Sequence, residues 1–354
     1  MRIRFGKICL LLVLSTLGMK VDAQFIHFTH QNMNPLMINP GNTGGFYGTF
    51  RGGAIVRDQD FRIASNNQEF QMINGSVDVN IDGIGFKKED WISAGINFGR
   101  QGLTADFTRT ELYPSLAYHF VLDKKTMSDI AIGFSAGTII NTLNRNSDFV
   151  TLHGLTTGDL TDGQDIFNNA QDGQITANSA DYSLGVVLTT PLSKYSGVKL
   201  GVSLRQPFRP EVGLSTPVAD RLDRDFTAFG IFKTQLSDRL SFKPGFVLNV
   251  EGRSASFLNL QANIGYRIIP DKDITLNGGV GIRTLTGMGG INSLLLLVGA
   301  DIKDFRIGLA YDHHFGSMLL ANAAGPGALE LSLSKVFKIH KKPDPQPILL
   351  CPRL

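Results

Sequence analysis

Hydrophobic residues recur at every second position in run after run of this chain. Within Ser254–Ile269, Leu258, Leu260, Ala262, Ile264, Tyr266 and Ile268 share one face, and Asn259, Gln261, Asn263, Gly265 and Arg267 share the other. Val198, Leu200, Val202 and Leu204 oppose Lys199, Ser203 and Arg205. Ile274, Leu276, Val280 and Ile282 oppose Thr275, Asn277 and Arg283, and Ile92, Ala94, Ile96 and Phe98 oppose Ser93, Gly95, Asn97 and Gly99. A period of two is strand alternation, and no segment keeps helical spacing. Fourteen such runs are predicted: 46–57, 67–82, 91–102, 107–122, 128–143, 181–192, 198–209, 224–235, 240–251, 254–269, 274–285, 291–302, 305–313 and 327–338. Hydrophobic content of 42% and 39 Gly fit β-structure with many tight turns and exclude a disordered chain.

The connections sort by parity. Those after even-numbered runs are short and polar, such as Asp123-Lys124-Lys125, Ser237-Asp238-Arg239 and Lys303-Asp304. The long ones, Asn144–Ala180, Pro210–Asp223 and Phe315–Pro326, follow odd-numbered runs; the tight Gly252-Arg253 turn is the exception. Short turns at one end and long loops at the other are the asymmetry of an outer-membrane barrel, whose strands need about 9–11 residues each and come in even number. Lipid offers no hydrogen bonds, so one face must be apolar and the sheet must close. The other face carries Arg205, Arg267, Arg283, Arg306 and Asp301 toward a polar lumen, and Phe120, Tyr266, Tyr311 and Phe337 near run ends suit interfacial girdles. The expected fold is all-β: a transmembrane antiparallel β-barrel of about 14 strands over 46–338, located in the outer membrane.

The first 23 residues read as a secretory signal peptide: Arg2, Arg4 and Lys7, the apolar run Ile8–Leu14, and the exit Val21-Asp22-Ala23. Removing Arg2, Arg4, Lys7, Lys20 and Asp22 from 34 basic and 31 acidic residues leaves 30 of each, so the net +3 belongs to the leader. Cys9 leaves with it, and Cys351 alone cannot form an internal disulfide.

Residues 24–45 do not alternate. They hold two Asn-Pro pairs five residues apart, Asn34-Pro35 and Asn39-Pro40, with an apolar spacer and an exit at Gly44, the composition of an irregular, turn-rich plug or rim segment. This start resembles the PorP/SprF family of type IX secretion outer-membrane proteins, with Asn34, Pro35, Asn39, Pro40 and Gly44 matching its Asn-Pro-x-x-x-Asn-Pro-Ala-x-x-Gly pattern and Gly41 in place of Ala. Ala310-Tyr311-Asp312 and Gly327-Ala328-Leu329-Glu330-Leu331-Ser332-Leu333 are similar to the family's terminal hairpin, Ala328-Leu329 standing where Ser and His or Tyr are common. Cys351-Pro352-Arg353 is similar to its Cys-Pro-Arg tail. The resemblance implies a barrel of the type IX export route of Bacteroidota-like bacteria. It would assist export or surface attachment of a large secreted client, such as a gliding adhesin, or work with other, periplasmic components of the machinery.

The remaining polar residues are less specific. Asp159, Asp162 and Asp165 in the longest connection could gather carboxylates for Ca2+, which takes six to eight oxygens, yet the order of an EF-hand loop is missing and a solvated acidic surface loop is the expected reading. If external, that loop is the first candidate for contacting the client. Residues 339–354 form a basic, Pro-rich tail expected in the periplasm, as a docking element or a simple extended tail: Lys335, Lys338, Lys341, Lys342 and Arg353 against Asp344 leave +4 in 335–354 and −4 in 24–334. No Gly-x-Ser-x-Gly, P-loop or zinc spacing occurs, so neither an enzyme, a cofactor nor a nucleic-acid partner is expected. The rival function is a general porin or solute-transport barrel, for which a fourteen-strand lumen is wide enough.

Overall fold

Alternating side chains give each strand an apolar and a polar face, and closing the sheet on itself is what satisfies both edges in lipid. The computed structural model describes residues 28–59, 70–82, 85–87, 89–102, 107–123, 126, 128–144, 174–213, 221–252, 255–269, 273–285, 290–315 and 327–339. Its strands are β1 (Phe50–Gln59), β2 (Phe70–Asp82), β3 (Trp91–Gly102), β4 (Phe107–Asp123), β5 (Ser128–Asn144), β6 (Gln174–Ser193) and β7 (Ser196–Arg205). They continue as β8 (Asp225–Gln235), β9 (Leu240–Glu251), β10 (Ala255–Ile269), β11 (Ile274–Leu285), β12 (Ile291–Ile302), β13 (Phe305–His314) and β14 (Gly327–Phe337). Each pairs with its sequence neighbours, and β1 pairs antiparallel with β14, Phe50 opposite Phe337 and Gln59 opposite Ala328, so the sheet is a closed fourteen-strand barrel.

The two faces are those of a protein in lipid. Leu116, Val280, Val298, Leu309 and Leu331 are exposed on the outside, while Asn74, Ser93, Asp312, Glu330 and Ser332 are buried on the inside. This inversion of the soluble pattern follows from the solvent being hydrocarbon. Among the described residues no helix is long and apolar enough to cross a membrane, and the strands perform the crossing.

Three boundaries differ from the sequence expectation by four residues or more. β1 starts at Phe50 rather than 46, because Phe46 turns inward and is buried under the Arg51 guanidinium, 4.7 Å from its ring. β6 starts at Gln174, inside the connection expected to run from Asn144 to Ala180; Gln174–Ala180 pair with Thr138–Asn144. At 17 and 20 residues, β5 and β6 outrun the 10 residues of β1 or β13, so their far ends need no apolar lipid face to mark them. β7 stops at Arg205 rather than 209, where left-handed backbone at Gln206 (φ 57°) and Arg209 (φ 53°) turns the chain. Residues 1–23, Asp159, Asp162, Asp165 and the tail with Cys351, Pro352 and Arg353 lie outside the described residues.

The closing seam gives a direct check of register. Ala54 and Leu333 face each other on the outside of β1 and β14. With Cys351 replaced by Ser, Ala54→Cys with Leu333→Cys should form a disulfide on mild oxidation, since opposed Cα atoms lie about 4.5–5.5 Å apart. Ala54→Cys with Leu329→Cys, four residues out of register, should not. Non-reducing electrophoresis of the unfolded barrel distinguishes them.

Candidate functional site in the barrel bore

An eight-strand barrel is about as wide as wall side chains can fill, and fourteen strands leave a void. Residues 28–49 run through that void. They form a 3-10 turn at Gln31–Met33, a single helical turn α1 (Pro35–Ile38) and a second 3-10 turn at Pro40–Asn42 before entering β1. The two Asn-Pro pairs explain these turns. Each proline takes the first helical position, where its missing N–H costs nothing and its φ is pre-set, and each asparagine takes the capping position before it.

Each motif residue also meets the wall. Asn34 Oδ1 accepts from Asn97 Nδ2 at 3.3 Å. Asn39 Oδ1 accepts the Gly41 N–H at 2.7 Å, and its Nδ2 donates to the carbonyls of Val202 (2.8 Å) and Val186 (3.2 Å). Pro40 sits on Gly133 and Gly185, which are directly opposed across β5 and β6. A methyl group on Gly133 would overlap the Pro40–Gly41 backbone, and one on Gly185 the Asn39 carboxamide. Gly44 leaves the motif in left-handed backbone (φ 73°) and donates its N–H to Asp78 at 2.8 Å.

Three polar groups bind the segment to the wall. At its start, Thr29 and His30 donate their N–H groups to Glu330 (2.7 and 2.6 Å), and Thr29 Oγ1 donates to Asp312 at 2.5 Å. Those carboxylates are held by Arg57, 2.7 Å from Asp312 and 3.6 Å from Glu330, and by Arg283, 2.9 Å from Asp312; all four side chains are buried. Two guanidiniums against two carboxylates balance in charge, and Arg57 and Glu330 are cross-strand partners, so the barrel seam itself brings them together. In the middle, His119 bridges the Asp129 carboxylate (3.0 Å) and the Thr43 carbonyl (2.8 Å), with Trp91 stacked on its ring. At the end, Arg51 grips Asp78 with two hydrogen bonds (3.0 and 2.6 Å) and reaches the Asn42 carbonyl at 3.2 Å. Apolar anchors fill the remaining space: Phe28 and Met33 pack with Ile55 and Met72, and Ile38 packs with Val187 and Phe229.

A second inward element follows β7. Val212 and Leu222 are buried against Tyr113 and Ile139, and Asn141 Nδ2 donates to the Val212 carbonyl at 3.0 Å. Asp181 accepts from Tyr113 Oη (2.6 Å), and Glu111 pairs with Arg205 (3.1 Å).

Sequence reasoning finds the motif, Asp312, Glu330 and Arg283. It misses Thr29, His30, Arg57 and the inward fold of Val212 and Leu222. For Arg57 the available signal is its inward parity on the first strand; for Val212 and Leu222 there is little, since Leu214 and Val218 are equally apolar in the same connection.

The family model described as type IX secretion system membrane protein PorP/SprF matches residues 20–334, nearly the whole chain. The chain belongs to this family. It is therefore an outer-membrane secretion-system barrel and not a member of an enzyme family. Among solved structures, the CymD monoaromatic hydrocarbon channel is similar at a TM-score of 0.51 and 13% identity, covering 89% of this chain and 95% of that one. The Ralstonia pickettii toluene transporter TbuX is similar at 0.47 and 12%, covering 90% and 95%. At such identities CymD speaks for barrel architecture alone, and TbuX adds no weight to that. A ribosome maturation factor RimP of Borrelia garinii subsp. bavariensis is 38% identical over 110 residues, 28% of this chain and 73% of that protein. That stretch cannot account for a barrel whose fourteen strands close from Phe50 to Phe337, and it does not alter the assignment to PorP/SprF.

Within this PorP/SprF protein the anchors of residues 28–49 are separable. Asp312→Ala leaves Arg57 and Arg283 without their shared carboxylate and should lower unfolding stability by about 3–5 kcal/mol. Gly185→Val should instead displace Asn39, at about 1–3 kcal/mol, and open residues 28–49 to protease while the barrel still shows heat-modifiable mobility. Urea titration and limited proteolysis in detergent read the two effects.

Proposed function

We propose that this barrel assists export or surface attachment of a large secreted, adhesin-like client through protein–protein contacts, as an accessory or core part of the type IX machinery. The observation that carries this reading is the occupied bore of a PorP/SprF barrel: residues 28–49 dock inside it, and Val212 and Leu222 are buried against Tyr113 and Ile139 of its wall. A barrel whose lumen is packed with its own chain acts through the surfaces it presents. The long connection between β5 and β6, with Asp159, Asp162 and Asp165, supplies the proposed client contact outside, between strands of 17 and 20 residues. The basic tail ending in Cys351-Pro352-Arg353 supplies the proposed contact with periplasmic components. Membrane lipid is the remaining partner, and gliding adhesins are the proposed client class.

The competing reading is a solute-transport barrel, which the hydrocarbon-channel architecture of CymD fits only at the level of fold. Deleting the gene should remove one large protein from the cell surface and leave general solute uptake unchanged, as measured by surface proteomics. Deletion of 150–175 alone should reproduce the surface loss. Steady single-channel conductance of the purified protein in planar bilayers, with the surface proteome unaltered in the deletion strain, would support the transport reading instead.

A further inference from the structure

Between residues 28–49 and the inner faces of β7, β9, β10 and β13 lies a cavity of about 60 Å3, well above the roughly 10–15 Å3 that a single water needs. Arg51, Lys199, Lys243 and Arg306 line it, and no Asp or Glu does. A second cavity of about 70 Å3 adjoins it, shares Lys243 and Arg306, and is also lined by Asp301. Arg51 pairs with Asp78, and Arg306 pairs with Asp301 at 3.0 Å, with Lys243 beside the same carboxylate. Lys199, itself buried, makes no hydrogen bond or ion pair among the described residues. Asn259 also lines the cavity. It is 1% exposed, and neither its Oδ1 nor its Nδ2 hydrogen-bonds to any protein group among the described residues.

A buried carboxamide without partners and a buried ammonium without a hydrogen bond or ion pair are both unfavourable unless something of opposite polarity joins them. We propose that this cavity is a binding site for a small oxyanion bearing a phosphate or carboxylate group, with Lys199 supplying charge and Asn259 Nδ2 a directed hydrogen bond. An oxyanion offers several acceptor oxygens, which suits donors arriving from four strands, and charge-assisted hydrogen bonds are the stronger class. Seated there, it would tie residues 28–49 to β7, β9 and β10, away from the Arg57–Asp312–Glu330 cluster that holds the opposite side. The size of the cavity and its position behind the segment favour a free anion over a lipid headgroup.

The test is calorimetric titration of the full-length barrel, purified in a phosphate-free uncharged detergent, with inorganic phosphate. Saturable binding near one per barrel is expected, weakened about tenfold or more both by Lys199→Met and by the near-isosteric Asn259→Asp. Arg209→Met, outside the cavity, should leave it unchanged. Heat-modifiable mobility verifies that each variant is folded, and phosphorus NMR line-broadening on the wild type gives the same answer without any variant. No saturable binding to the wild type overturns the proposal. So does binding that neither cavity substitution moves, and so does binding seen only with phosphatidylglycerol micelles, which would assign the group to a headgroup.

Discussion

Fourteen strands enclose more space than inward side chains can fill, and hydrocarbon on the outside forbids any unpaired polar group in the wall. The bore of this protein is therefore a buried interior that needs a core. Residues 28–49 supply it, and the polarity of the bore is explained by what they present. Helical turns leave backbone carbonyls and N–H groups unpaired at their ends, and the wall answers with Asp78, His119, Glu330 and Gln261. The Arg57, Arg283, Asp312 and Glu330 cluster is the costliest of these answers. Each charge is tolerated because an opposite charge lies one or two strands away, within 3.6 Å, and because Thr29 and His30 take up the remaining oxygens.

Barrel closure and segment docking are thereby one event. Arg57 lies on the first strand and Glu330 on the last, facing each other across the seam, and the chain start threads between them. A barrel closed one register out would place Arg57 on the lipid side and leave Thr29 without its carboxylates. The segment thus reports on correct closure. The cluster links the two stretches, Asn34–Gly44 and Asp312–Glu330, that carry the PorP/SprF likeness.

Much of this was legible in the residues. Strand count and most boundaries follow from alternation, because one face meets lipid and the other meets polar groups. The reading failed where that contrast lapses. The start of β6 at Gln174 was hidden because its residues rise beyond the lipid band. In β12, Leu295 and Leu297 face the bore beside Ala310, so Leu294–Val298 is apolar on both faces and its inward side has to come from its neighbours. The Asn-Pro pattern was visible as turns, but not its seat. Gly133 and Gly185 are ordinary strand glycines in sequence, and only the pairing of β5 with β6 makes them one surface. Thr29 and His30 carry no signal of their own.

The central claim is that residues 28–49 are an integral, stably docked core of the barrel. Hydrogen exchange of their backbone amides in the purified, detergent-solubilised protein tests it most directly. The account predicts that Thr29, His30, Gly41 and Gly44, whose N–H groups bond to carboxylates or the Asn39 side chain, exchange as slowly as strand amides such as those of β1. Exchange of these four at the rate of an unstructured peptide, with the strands still protected, would contradict it.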